Sequence, residues 1–220
     1  MPRSRGRFFR ERMDFARQPV SLRLRKIIPA TQENTLLVQP LLWLSQPQMP
    51  QQGLLFSDVR KEFTEIVVCV WDKGTDDLES HMHTVRKICQ MGKAALVVDL
   101  TGMGKCKPYE LNTMFSAKER FGTLDVLTKD LYFLGDSLCA LRLYELEYAL
   151  KEVCGYFHCR GSLYAEGLSA QYARLLQIVH PELEICTANE GTAYEDVLYQ
   201  KYYEDYNLSS IMLPGIAKYL

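Results

Sequence analysis

The sequence predicts a three-layer α/β sandwich on a mostly parallel sheet, with a β-hairpin extension at its N-terminal side. Three observations carry that expectation. Short unbroken apolar runs, "EIVVCVW" at 65–71 and "AALVVDL" at 94–100, have the composition of strands buried on both faces. Between such runs lie stretches whose apolar residues recur at helical spacing, and glycines and polar clusters separate the two kinds of segment. A strand, a helix and a strand joined by short turns make a parallel crossover unit, and its repetition calls for helices over the sheet.

In chain order, residues 1–19 read as a basic flexible tail closed by Pro19. Residues 1–26 carry nine Lys/Arg against Glu11 and Asp14, a net of +7, so the other 194 residues sum to −8 within the total of −1. Residues 20–60 predict the extension: 20–28 and 35–45 alternate as two strands joined by the polar turn "PATQEN", and "SQPQMPQQG" at 45–53 reads as a Pro/Gln-rich loop. Residues 61–220 predict the α/β domain. After the strand at 65–71, Thr75, Asp76 and Asp77 offer N-caps to a helix with Leu78, Met82, Val85 and Cys89 inward and Gly92 placed to stop it. The strand at 94–100 follows, then one long amphipathic helix over 128–153 with Leu131, Leu134, Leu138 and Leu141 inward. A strand at 162–166, a helix at 169–179 and a strand at 183–188 complete the pattern.

Composition narrows the function classes. At 47% hydrophobic and 24% charged the chain can bury a core, and no run approaches the roughly 18 apolar residues of a membrane span, so no membrane partner is expected. The N-terminus lacks the apolar segment of a secretory signal, and a cytoplasmic location is the expectation. Seven cysteines, at 69, 89, 106, 139, 154, 159 and 186, lie mostly within apolar stretches, form no C-x-x-C pair and read as reduced core thiols. No metal and no cofactor is expected. His81 and His83 are two apart on a helix and diverge, and "VVDLTGMGKC" fails as a phosphate loop because Asp99 replaces the first glycine and Cys106 the hydroxyl. Lys107 likewise breaks a dinucleotide fingerprint. The basic arm raises a nucleic-acid partner as an alternative, against which Arg23, Arg25 and Lys26 alternate with Leu22, Leu24 and Ile27 as one solvated strand face.

Candidate chemistry centres on "LYAEGLSAQYARLL" at 163–176, a strand turning sharply into a helix with Ser169 at the turn. Asp99-Leu100-Thr101-Gly102-Met103-Gly104 resembles the D-x-R-G-x-G strand end of the α/β-hydrolases, with Thr101 in place of arginine. "FLGDSLCALRLYELEYAL" at 133–150 is similar to the helix ahead of the nucleophile strand in that family, here with Arg142 and Glu145. "LYAEGLSAQYARLLQIVHPELEICTA" is similar to the elbow, its helix and the next strand. The resemblance covers about residues 60–220, and the branch it is most similar to is the acetyl xylan esterase and dienelactone hydrolase group.

That resemblance implies a serine ester hydrolase acting on a small ester or acetylated carbohydrate, with oxyanion donors from the Ala170 N–H and the turn of Asp72 and Gly74. Counting without gaps from "QIVHPEL" puts the nucleophile position on Gly167; sliding by two puts it on Ser169, with bulky Gln171 where glycine is wanted. Read from the residues alone, Ser169 is an N-cap and Glu166 a carboxylate receiving N–H bonds at the positive end of the following helix. The one histidine after Ser169 is His180, about 16 Å along the same helix, so the expected base is missing. Candidate acids are Glu190, Glu195, Asp196, Glu204 and Asp205, and Tyr194, Tyr199, Tyr202, Tyr203 and Tyr206 offer either a sugar-stacking platform or packing. "SSIMLPGIAKYL" resembles the segment ahead of the strands that carry the acid and histidine in the family. A catalytically silent domain or fragment is therefore expected, incomplete at its C-terminus, with an open sheet edge that favours self-association.

Overall fold

The structure is a computed structural model that describes residues 4–18, 20, 24–108, 116–189, 194 and 206–219, the side chains of 116–122 and 206–207 excepted. Its centre is one eight-stranded sheet. The strands are β1 (Arg25–Lys26), β2 (Thr31–Glu33), β3 (Leu36–Gln46), β4 (Met49–Asp58), β5 (Glu65–Val70), β6 (Ala94–Asp99), β7 (Arg160–Glu166) and β8 (Ile185–Ala188). Their order is β1-β3-β4-β6-β5-β7-β8, with β2 also on β3. The half made of β6, β5, β7 and β8 is parallel, and the β3–β4 hairpin joins it antiparallel through β4 and β6.

Alternation along β5 explains the three layers. Ile66, Val68 and Val70 face a core shared with α4 (Leu138–Phe157), α5 (Ala170–Val179) and α1 (Arg5–Met13). Val67 and Cys69, with Trp71 just beyond the strand, face the other way and meet Val85, Ile88 and Cys89 of α2 (Leu78–Gln90). Gly92, at φ 78, ends α2 in the left-handed region, as its sequence position suggests.

Residues 4–18, the described part of the expected tail 1–19, hold a helix in place of a flexible segment. Ser4 caps α1 by accepting from the Arg7 N–H at 3.4 Å, and Phe8, Phe9 and Met13 are buried in the core. Arg10 makes a two-pronged contact with Glu147 at 2.8 Å and 2.8 Å, and Arg17 another with Asp136 at 2.6 Å and 2.9 Å. Arg10 and Arg17 are thus turned onto carboxylates of the domain, because three buried apolar side chains fix the helix face from which they project.

The Pro/Gln-rich stretch 45–53 is not the expected loop: it is the end of β3, the hairpin turn and the start of β4, pivoting on Gln48 at φ 63. Its glutamines serve the strand. The buried Trp43 Nε1 donates to Gln51 Oε1 at 2.9 Å, and Gln52 Nε2 donates to Asp99 Oδ2 at 3.1 Å. Of the expected 20–28 strand, Arg25 and Lys26 form a ladder opposite Leu42 and Leu41, and the Ile27 N–H donates to Pro40 O at 3.4 Å; residues 21–23 lie outside the described residues. The expected helix over 128–153 is two helices, α3 (Ser116–Phe133) and α4, broken at Gly135 (φ 79) and restarted by Ser137, whose Oγ accepts from the Ala140 N–H at 3.1 Å. Leu134 consequently points outward, 73% exposed, while Leu138 and Leu141 stay in the core. Among the described residues no helix is long and apolar enough to cross a membrane.

Candidate functional site

Strand β7 ends at Glu166, and a single 3-10 turn, Gly167–Ser169, leads into α5. Gly167 holds φ 68, a backbone state that a residue with a Cβ enters only under strain. A Cβ built there would lie 2.7 Å from Asp72 Oδ2. Asp72 follows β5, the neighbouring parallel strand, and its carboxylate reaches across to the turn. Oδ2 accepts from the Leu168 N–H at 3.1 Å, and Oδ1 accepts from the Ser169 N–H at 2.8 Å and from the Ser169 hydroxyl at 2.9 Å. An anion thus meets the orphan N–H groups and the positive end of α5, which stabilises both.

Ser169 itself is not the N-cap expected. Its backbone is already helical (φ −65, ψ −18), its side chain caps nothing, and its hydroxyl donates instead of accepting. Asp72 takes the capping role. Ser169 is 0% exposed, and Gln171 beside it is also buried. The Ala170 N–H bonds back to the carbonyls of Gly167 and Leu168. Gly74 belongs to a neighbouring cradle: at φ 54, a Cβ there would come 2.2 Å from Asp99 Oδ1. The structure therefore brings Asp72, Gly167 and Ser169 together and places Gly74 in a different network.

That second network surrounds Asp99, fully buried at the end of β6. It accepts from Thr75 N at 2.7 Å, Thr75 Oγ1 at 2.7 Å, Lys105 N at 3.0 Å and Gln52 Nε2 at 3.1 Å. Thr75 is thus bound to Asp99 and caps no helix, and Asp77 at the start of α2 makes no side-chain cap either. Next to it, Thr101 N donates to Glu145 Oε2 at 2.8 Å, Arg142 Nε donates to Thr101 O at 2.8 Å, and Arg142 Nη1 donates to the Tyr172 hydroxyl at 2.8 Å. Burial pushes the Glu145 carboxyl above its ordinary range, partly offset by the Thr101 bonds. These groups tie α4 and α5 to the carboxyl end of β6.

Beside the elbow opens a cleft of 610 Å³, lined by Trp71, Asp72, Lys73, His81, Glu166 and Asn189 among others. It lies at the carboxyl ends of β5 and β7, where open parallel sheets hold ligands. His81 stacks on the buried Trp71 ring (centroids 4.1 Å apart, planes 4° from parallel), with Nδ1 2.8 Å from Asp77 O and Nε2 3.4 Å from Glu166 Oε2. Glu166 does not receive helix N–H groups as expected; it accepts from the Tyr164 hydroxyl at 3.0 Å and from Asn189 Nδ2 at 2.6 Å. Burial pushes the Tyr164 hydroxyl up to about 12. Sequence reading missed this imidazole–carboxylate pair, since its members are far apart in the chain; the signal within reach was His81 one helical turn after Asp77.

No histidine nitrogen bonds the Ser169 hydroxyl. His180, at the far end of α5, is held by Glu147 at 2.5 Å and Glu182 at 3.1 Å, and His158 forms the left-handed end of α4. Glu190, Glu195, Asp196, Glu204 and Asp205 lie outside the described residues, as do Tyr199, Tyr202, Tyr203 and the Tyr206 side chain. Tyr194 is buried and donates to Ile211 O at 2.8 Å, a packing role. Among the described residues no group of three His, Cys, Asp or Glu is arranged to hold a metal ion.

No protein-family model matches the chain, and no curated protein matches it in sequence. Solved structures do match in fold. A candidate acetyl xylan esterase of Bacteroides fragilis superimposes with a TM-score of 0.62 at 15% identity, covering 81% of this chain and 50% of that one. Acetyl xylan esterase 1 of a Thermoanaerobacterium species gives 0.55 at 12% identity over 91% of this chain and 64% of that one. A cold-adapted esterase from an Arctic intertidal metagenomic library gives 0.54 at 12%, over 77% and 69%. The chain spans about half the length of the first of these. What it shares with them is the fold: a mixed sheet with helices, of the kind found in α/β-hydrolase-type esterases.

Proposed function

We propose that this chain is an esterase-type scaffold that performs no acyl transfer of its own and uses its cleft to bind a small ester or acetylated carbohydrate without cleaving it. The observation that carries this reading is the Asp72 carboxylate seated on the Leu168 and Ser169 N–H groups. Acyl transfer needs such donors free to receive a developing oxyanion, and a resident negative charge there repels it. The serine reading meets the same obstacle. Ser169 is enclosed, its proton is engaged by a carboxylate far less basic than an alkoxide, and an imidazole to take that proton is not bonded to it.

The ester class of ligand rests on the acetyl xylan esterases among the structures sharing the fold, and on a cleft at the carboxyl edge of the parallel strands. The strand order supplies a second contact. Among the described residues β8 pairs with β7 alone, so its outer edge is suited to pairing with a second copy of the chain. Hydrolysis of p-nitrophenyl acetate by the wild type and by Ser169→Ala tests the main point. Equal rates at the buffer background support it; a wild-type rate more than about tenfold above the variant overturns it. Chemical-shift titration with an acetylated xylo-oligosaccharide tests the cleft, and light scattering tests association.

A further inference from the structure

Helix α4 ends in a cap that brings two thiols together. His158 takes the left-handed conformation (φ 53), and the N–H groups of both His158 and Cys159 donate to Cys154 O, the latter at 3.1 Å. This is the six-to-one closure in which the second residue past the helix packs its side chain on the residue three from the helix end. Here those two residues are Cys159 and Cys154. The Cys159 Sγ lies 4.0 Å from the same carbonyl, and the two thiols influence each other's ionisation directly. Gly161 leaves room for the pair, since a Cβ there would come 2.7 Å from Cys154 Sγ.

Access separates this pair from the three cysteines of the core, and its two members lie next to each other, unlike the half-buried Cys106 and the exposed Cys186. Cys69, Cys89 and Cys139 are sealed in the core, whereas Cys154 and Cys159 are half-buried and Cys154 borders a 400 Å³ cleft with Leu150, Lys151, Gly161 and His180. We propose that Cys154 and Cys159 form a reversible dithiol–disulfide site, oxidised by a small external disulfide such as oxidised glutathione, which cross-links the end of α4 to the chain entering β7. In the first step the Cys159 thiolate attacks one sulfur of the external disulfide, forming a mixed disulfide and releasing one glutathione thiolate. The Cys154 thiolate then displaces the second glutathione. Two protein thiols and one external disulfide become one internal disulfide and two glutathione thiols, the two protons passing to the leaving thiolates. Burial pushes both thiols up, Cys154 to about 12, and the hydrogen bond from Cys154 holds back the rise at Cys159, which is why Cys159 reacts first. The site is accordingly slow to react and favoured by proximity once it does.

Trypsin makes the test direct, because Lys151 and Arg160 release "EVCGYFHCR", residues 152–160, with both cysteines in one peptide. The whole folded chain is incubated with oxidised glutathione, quenched in acid, alkylated and digested. The expected peptide is about 2 Da lighter than the reduced form, carries no alkyl group and reverts with dithiothreitol. Closure is at least about tenfold faster in the folded chain than in urea. Cys154→Ser and Cys159→Ser each lose the closure and leave the remaining thiol open to glutathione or alkylation. A wild-type peptide bearing two alkyl groups or a stable glutathione adduct, while the exposed Cys186 reacts, overturns the proposal, as does equal closure in urea.

Discussion

Two aspartates at the ends of adjacent strands do the same chemistry in opposite settings. Asp99, the last residue of β6, and Asp72, after β5, each accept backbone N–H groups beside a glycine in the left-handed region, Gly74 and Gly104 for the first and Gly167 for the second. Asp99 is sealed from water with four donors around it, and a Cβ at Gly104 would fall 2.0 Å from its Oδ1. Asp72 is exposed at the edge of a cleft and holds three donors. The contrast teaches that burial, more than the number of hydrogen bonds, separates a group that holds the scaffold from one that governs a site: a sealed carboxylate has no competitor, and an exposed one is in exchange with water and with any anion in the cleft.

The comparison breaks or sharpens through three substitutions. Asp99→Ala empties a sealed position and orphans the N–H groups of Thr75 and Lys105 together with the Gln52 amide. It is expected to cost about 4 kcal/mol in urea denaturation, the largest effect. Gly167→Ser forces a Cβ into the left-handed turn and against Asp72 Oδ2. An expected loss of about 2 kcal/mol comes without p-nitrophenyl acetate hydrolysis, because a serine at the elbow still finds no imidazole. Asp72→Ala removes a cap from α5 at a site water can enter, and the expected loss is about 1 kcal/mol. If Asp72→Ala costs as much as Asp99→Ala, the distinction between sealed and open carboxylates fails. The double variant Asp72→Ala/Gly167→Ser sharpens it: with the carboxylate gone the added side chain has room, so the double loss is expected to fall short of the sum of the two single losses.

How much of this was readable in advance follows from which residues carry local signals. The strands β5 to β8 and the helices α2 and α5 announce themselves in unbroken apolar runs and in helical spacing, since their cores are built from those side chains alone. The β3–β4 hairpin hides because Gln51 and Gln52 are partners to Trp43 and Asp99, contacts that a linear sequence does not display. Helix α1 hides behind its arginines although Ser4, Phe8 and Met13 hold its cap and inner face. The break between α3 and α4 was legible in Gly135 and Ser137, a stop followed by a cap, and the leucine spacing on either side masks it. At the site, gapless counting points to Gly167, the residue that holds the elbow's left-handed backbone. The family resemblance also implies Asp72 as part of an oxyanion turn, but not that its carboxylate, rather than its backbone, meets the elbow. That depends on a reach across 97 residues.

The same difference in separation sets an order of events in time. The β3–β4 ladder zips ten pairs around a turn at Gln48, so its closure involves a short loop and is expected within microseconds. The parallel contact between β5 and β7, which delivers Asp72 to the elbow, waits for the intervening helices to collapse and is expected to come last. Pulse-labelling hydrogen exchange during refolding therefore separates an early antiparallel half from a late parallel one, with the Leu168 and Ser169 amides among the last to gain protection.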